Sequence, residues 1–326
     1  MPLCKFILIF LFMFTNSNLF SFEEGTATNN GVSIYYRDYG PVDAEPILLV
    51  QGLGGQLINW PQHLIQFLID NNFRPIVYDN RDTGLSSRIQ SDKFDDDKRT
   101  NTIVKSYIRY YLRLPIESEY TIDDMADDAI SVLDELNIEN AHILGISMGG
   151  MIAQIIASNY SERTKTFTLI ASTASTPSPF NGPTRKVRKL LMERTNNPNS
   201  SVDERVNRTR RIFSEIGYQG IDLNTDEFYN DISSSIERGG KDDTGFGRQL
   251  TAILGSENRL DKVKAIKAQT LIIHGKEDPL IRVKNAYKTK KLIDNSKLII
   301  ISDMRHLIEI PVFDQFKNEL LKHLNS

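Results

Sequence analysis

The 326-residue chain has a single cysteine, Cys4. One thiol closes no intramolecular disulfide. Cys4 lies within the N-terminal apolar segment, so the rest of the chain offers neither a disulfide nor a thiol nucleophile, which suits an oxidising compartment. An excess of positive charge is also missing. Lys and Arg number 39 against 42 Asp and Glu, a formal net charge of −3, and this argues against a nucleic-acid partner. No Cys/His cluster has metal-ligand spacing, so no metal is expected. Neither a G-x-x-x-x-G-K-[ST] phosphate loop nor a dinucleotide-binding glycine pattern is present, and no organic cofactor is expected. No repeat is evident, and no apolar run approaches the roughly 20 residues of a membrane-spanning helix.

The long apolar run that does occur is Phe6–Phe14, after Lys5 and before the polar Thr15-Asn16-Ser17-Asn18. A basic residue, a short apolar core and small or polar residues describe a secretory signal peptide. Residues 1–24 are therefore expected to export the chain to the periplasm or medium, with cleavage after Ser17 or Ser21. An uncleaved segment would instead anchor it, and this is the only membrane contact expected.

Beyond residue 24, short apolar runs alternate with helical patterns. Strands are expected at Val32–Tyr39, Pro46–Val50, Pro75–Tyr78, Ala141–Leu144, Thr166–Ala171, Thr270–Ile273 and Lys297–Ile301. Thr121 to Leu136 reads as an amphipathic helix, with Thr121 and Asp124 as its capping box. Residues 91–118 look like a surface excursion. Residues 172–255 lack apolar strand runs but carry helix signals, including a capping box at Ser201 and Glu204, with Gly217 able to close that helix. The pattern predicts an α/β fold, a mainly parallel sheet of about eight strands with helices on both faces. Its core is split into residues 25–171 and 256–326 by a helical cap or lid at 172–255.

Gly145-Ile146-Ser147-Met148-Gly149 sits between a strand and a helix in the G-x-S-x-G spacing of a nucleophile elbow. A serine hydroxyl needs a general base, and the base an orienting acid. Of the five histidines, His142 opens the elbow strand at its far end, and His63 and His323 fall in helical patterns. His274 beside the acid loop suits a packing or turn role. His306 follows the last strand at the correct sheet edge and is taken as the base. Asp278, in a turn set by Gly275 and Pro279, is taken as the acid, with neighbouring Glu277 the weaker candidate. A displaced acid after strand Thr166–Ala171 is disfavoured, since Ser172–Phe180 contains no carboxylate. The order Ser147, Asp278, His306 is the order this architecture uses. Gln51-Gly52-Leu53-Gly54-Gly55 follows another strand and would place the Leu53 N–H with that of Met148 as an oxyanion hole.

These residues resemble the α/β-hydrolase superfamily. Asp79–Ser86, Met125–Ala129 and Gly145–Gln154 are more similar to its aclacinomycin methylesterase-like branch. Gln51 stands where such proteins usually have His, and Arg305 where Gly is common. The first departure is expected to alter hydrogen bonding in the oxyanion loop, the second to stiffen or charge the site's rim. Asp79–Ser86 is expected to be a structural turn. The resemblance implies a serine hydrolase acting on a small, apolar carboxylic ester through Ser147, His306 and Asp278. Carbon–carbon bond hydrolysis, perhydrolysis or acyl transfer on the same residues are the enzymatic alternatives, and a non-catalytic ligand-binding protein the other. Dehalogenase and epoxide hydrolase chemistry is disfavoured, because those relatives place Asp at the nucleophile. Substrate identity and oligomeric state are not legible.

Overall fold

The computed structural model describes residues 21–91, 99–175, 182–193, 200–240 and 244–326. In chain order the elements are β1 (Phe22–Asn29), β2 (Val32–Tyr39), β3 (Glu45–Val50), α1 (Gln62–Asp70), β4 (Phe73–Tyr78), α2 (Arg99–Tyr111), α3 (Ile122–Glu135), β5 (Ala141–Ile146), α4 (Met148–Asn159) and β6 (Thr164–Ile170). There follow α5 (Arg185–Glu193), α6 (Val202–Ile216), α7 (Asp226–Arg238), α8 (Thr244–Gly255), α9 (Leu260–Lys264), β7 (Gln269–Gly275), α10 (Lys284–Leu292), β8 (Ser296–Ile301) and α11 (Ile310–Leu324).

The strands form one eight-stranded sheet in the order β1-β2-β4-β3-β5-β6-β7-β8. From β4 to β8 the pairing is parallel, while β1 and β2 are antiparallel to their neighbours. Side chains alternate across a strand, so adjacent residues enter opposite cores. Leu48 and Val50 pack with α3 and α4 on one face, and Ile47 and Leu49 with α1 and α11 on the other. Both faces are covered, which explains why the central strands read as unbroken apolar runs.

One expectation needs correction. Residues 22–24, set apart above with the N-terminal segment, belong to β1, which pairs along its whole length with β2 through the Asn30-Gly31 turn. β1 was not legible because it is an edge strand on which only Ala27 is fully buried. Residues 1–20 of the expected export segment lie outside the described residues. Among the described residues no helix is long and apolar enough to cross a membrane.

Both capping boxes form: Thr121 and Asp124 open α3, and Ser201 and Glu204 open α6. Helices α5–α8 fall within 172–255, between β6 and β7.

Candidate active site

β5 is a central strand that delivers Ser147 to the carboxyl edge of the sheet, where ligands of open α/β sheets bind. From 141 to 150 every residue is buried except Ser147. Its backbone lies at φ 55°, ψ −119°, a conformation that costs a non-glycine residue about 1–3 kcal/mol. The neighbours hold it there. The Ser147 N–H donates to Ile170 O at 3.0 Å, and Ser172 Oγ donates to Ser147 O at 2.6 Å. A Cβ on Gly149 would lie 1.9 Å from Val50 O, so only glycine lets α4 start this close to β3.

Asp278 and His306 arrive from adjacent strands. A Cβ on Gly275, the last residue of β7, would lie 2.2 Å from both Met304 O and Arg305 O, so the β7 and β8 loops touch. Across this contact His306 Nδ1 meets Asp278 Oδ2 at 2.7 Å. The carboxylate's other oxygen accepts the Leu280 and Ile281 N–H groups, each at 2.8 Å. An ionised carboxylate only accepts, so Nδ1 carries the proton and Nε2 is left as the basic nitrogen. The imidazole is buried, and its backbone N–H donates to Ile216 O at 2.8 Å, tying the loop to the end of α6. Arg305 tightens the same tie, its Nη1 donating to Glu215 O at 2.6 Å.

His274 takes a packing and turn role. It is fully buried, its Nε2 lies 2.6 Å from Ile281 O and 3.6 Å from Asp278 Oδ2, and burial pushes its pKa down. A neutral His274 therefore donates to the Ile281 carbonyl and steadies the turn that carries Asp278.

The glycine loop after β3 reaches the serine: a Cβ on Gly52 would lie 3.3 Å from Ser147 Cβ. Gln51 Oε1 accepts the Gly52 N–H at 2.8 Å. Gly54 N–H donates to Gln249 Oε1 at 2.9 Å, and Gly55 N–H to Gly52 O at 3.0 Å. Among the described residues none accepts from the Leu53 N–H, which is left free to meet a ligand oxygen. Gln249 lies in α8 and was missed in the sequence, where nothing marks a partner so distant along the chain. Asp79–Ser86 is a structural turn as expected. Asp79 accepts the Leu57 and Leu85 N–H groups and pairs with Arg238 of α7 at 2.8 Å.

Ser147, Met148, Leu53 and His306 line one cavity of about 1130 Å³, with Asp278 buried behind His306. Its outer walls are Tyr107, Tyr110 and Tyr111 of α2 and apolar side chains of α6–α8, among them Ile212, Phe213, Phe228 and Phe246. Among the described residues no group of His, Cys, Asp and Glu could hold a metal ion.

A family model described as alpha/beta hydrolase fold matches residues 45–310. A rhodomycin D methylesterase of Streptomyces peucetius is 24% identical over 315 residues, covering 92% of this chain and 97% of the relative. A non-heme chloroperoxidase of Burkholderia pyrrocinia is 24% identical over 285 residues, with coverage of 83% and 88%. Among solved structures, an enol-lactonase from Burkholderia xenovorans LB400 superposes with a TM-score of 0.68 at 20% identity, covering 93% of this chain and all of that one. With most of its length matched by the family model and the same sheet in place, the chain belongs to the α/β-hydrolase fold family.

Proposed function

We propose that the protein is an exported serine hydrolase that cleaves a small, apolar carboxylic ester. The observation that carries the reading is His306, paired with Asp278 at 2.7 Å, lining one cavity with a serine held on a strained strand-to-helix turn. In this mechanism Ser147 Oγ attacks the ester carbonyl carbon and its proton passes to His306 Nε2. Asp278 holds the imidazole and stabilises the imidazolium. The Leu53 and Met148 N–H groups, the latter at the N-terminus of α4, receive the oxyanion. Each such donor contributes about 2.7–4 kcal/mol to the transition state. His306 then protonates the departing alkoxide, and water attacks the acyl-serine with His306 again as base. These steps need neither metal nor organic cofactor. Residues 172–255 act as the lid that shapes the substrate pocket.

Ser147→Ala is expected to lower kcat for p-nitrophenyl esters by about 10⁴-fold or more with the fold retained by circular dichroism. Unchanged hydrolysis would remove Ser147 from the mechanism. The chloroperoxidase relative favours one second reading, perhydrolysis on the same residues. Assay of the acyl-enzyme with hydrogen peroxide against water separates the two. A non-catalytic binding protein would leave Ser147 unlabelled by a fluorophosphonate. Export is tested by cell fractionation with N-terminal sequencing of the recovered protein.

A further inference from the structure

α2 forms part of the cavity wall, yet among the described residues nothing covers the apolar side chains of its other face. Ile103 and Ser106 are buried toward α8, and Tyr107 and Tyr110 line the cavity. On the opposite side Val104, Ile108 and Tyr111 are 39%, 52% and 42% exposed, and the chain that leaves the helix adds Leu112 at 64% and Leu114 at 46%. Among the described residues, large exposed apolar side chains are otherwise scattered singly, and single ones need no explanation; a run at helical spacing does. Tyr111 is both exposed and cavity-lining, so the stripe stands at the cavity mouth.

Within residues 104–116 the charge has one sign. Lys105, Arg109 and Arg113 are exposed between the apolar side chains, and residues 104–116 contain no Asp or Glu. α5 lies alongside, with Arg188 Nη1 donating to Tyr111 Oη at 3.5 Å, and presents exposed Arg185 and Lys189. The chain as a whole is acidic, at −3, so this patch is a local exception.

We propose that this face of α2 rests the cavity mouth on an anionic phospholipid bilayer surface. An apolar stripe flanked by cations suits the boundary between headgroups and acyl chains, where the side chains enter hydrocarbon and the cations meet phosphate. A second copy of the chain is a poor occupant, because two-fold pairing would set Lys105, Arg109 and Arg113 against themselves. Membrane contact then extends beyond the N-terminal segment, the only site expected from sequence. An apolar ester dissolved in the bilayer would reach the cavity without crossing water. That last step rests on the proposed hydrolase reading; the docking itself does not.

Docking is read by flotation with vesicles, using the full chain carrying Ser147→Ala so that hydrolysis plays no part. Binding to phosphatidylcholine vesicles containing phosphatidylglycerol is expected to exceed binding to phosphatidylcholine alone by about tenfold or more. Adding Ile108→Glu with Leu112→Glu, neither of which lines the cavity, is expected to weaken binding to the anionic vesicles about tenfold or more. Lys105→Gln with Arg113→Gln is expected to weaken it about 25-fold and to reduce the preference for phosphatidylglycerol. The N-terminal segment is common to all of these proteins, and thermal melts confirm that each is folded. Equal binding of parent and Ile108→Glu/Leu112→Glu protein overturns the proposal. So does a stable dimer in light scattering that the same substitutions dissociate, because the stripe would then be covered by a second copy.

Discussion

Ser147 and Gly149 bear opposite constraints within three residues of chain. Ser147 has a side chain where the backbone favours none, at φ 55°, and Gly149 has none where a Cβ would meet Val50 O at 1.9 Å and Gln51 O at 2.6 Å. The strain at 147 is testable apart from the chemistry. Ser147→Gly is expected to be about 1 kcal/mol more stable than Ser147→Ala in urea melts, since both lose the hydroxyl but only glycine relaxes the turn. Equal midpoints would mean that the turn stores no strain. For Gly149→Ala the obstacle is backbone on both sides, so either the end of β3 or the start of α4 must move. A loss of about 1–3 kcal/mol in stability is expected, together with a fall of at least about 10²-fold in ester kcat/KM as the Met148 N–H shifts. Gly55→Ala is the control. Its Cβ meets only the flexible Gln51 side chain, at 2.6 Å, so its losses are expected to be smaller on both measures.

At the scale of elements, legibility followed burial and sequence distance. β3 and β5–β7 are covered on both faces, so their apolar runs were readable, and the loops after them held Leu53, Ser147 and Asp278 as expected. β1 has one covered face and an open edge, and its sequence carries little apolar signal. The oxyanion loop was legible as a glycine run, but its support from Gln249 was not, because that contact exists only after the chain folds. Two histidines set aside from the chemistry turn out to fasten elements together. His142 at the start of β5 bonds Thr166 Oγ1 of β6 at 2.8 Å, and His323 in the last turn of α11 bonds Phe167 O at 3.1 Å. Burial is the main reason that each pKa falls from 6.5 to about 4. Below pH 6.5 the unfolded chain takes up protons that the folded chain refuses until about pH 4. Stability therefore falls as pH drops through that window and is level above it. At pH 5 the loss is on the order of 2 kcal/mol per histidine relative to pH 7. His142→Asn is expected to flatten this dependence in urea midpoints taken at pH 5 and 7. An unchanged slope would show that His142 does not contribute to it.

Over the whole molecule, the insertion between β6 and β7 is fixed to the core by buried charge. Asp79 and Asp82 follow β4, and their partners Arg238 and Arg248 come from α7 and α8. All four side chains are largely or wholly buried, and Gln56, beside the oxyanion loop, joins the first pair through Arg238 Nη1 at 2.8 Å. Such pairs are weak net stabilisers, but leaving one partner alone in the interior costs about 3–5 kcal/mol. The β4 side of the insertion therefore cannot swing open as a rigid lid without exposing or stranding these groups. Under the proposed membrane docking, the substrate enters instead from the side where α2 stands. Arg248→Met tests this anchoring. Asp82 would keep the Tyr120 hydroxyl at 2.7 Å and the Ile89 N–H at 2.8 Å but lose both guanidinium bonds. A loss of about 3 kcal/mol or more is expected in urea melts, with faster tryptic cleavage within residues 200–255. Adding Asp82→Asn removes the stranded charge and tolerates the φ of 70° at that position, so it is expected to restore much of the stability. If Arg248→Met leaves both the midpoint and the cleavage rate unchanged, the Arg248–Asp82 pair does not anchor the insertion, and its hold on the β4 side falls to Arg238–Asp79 and the apolar contacts.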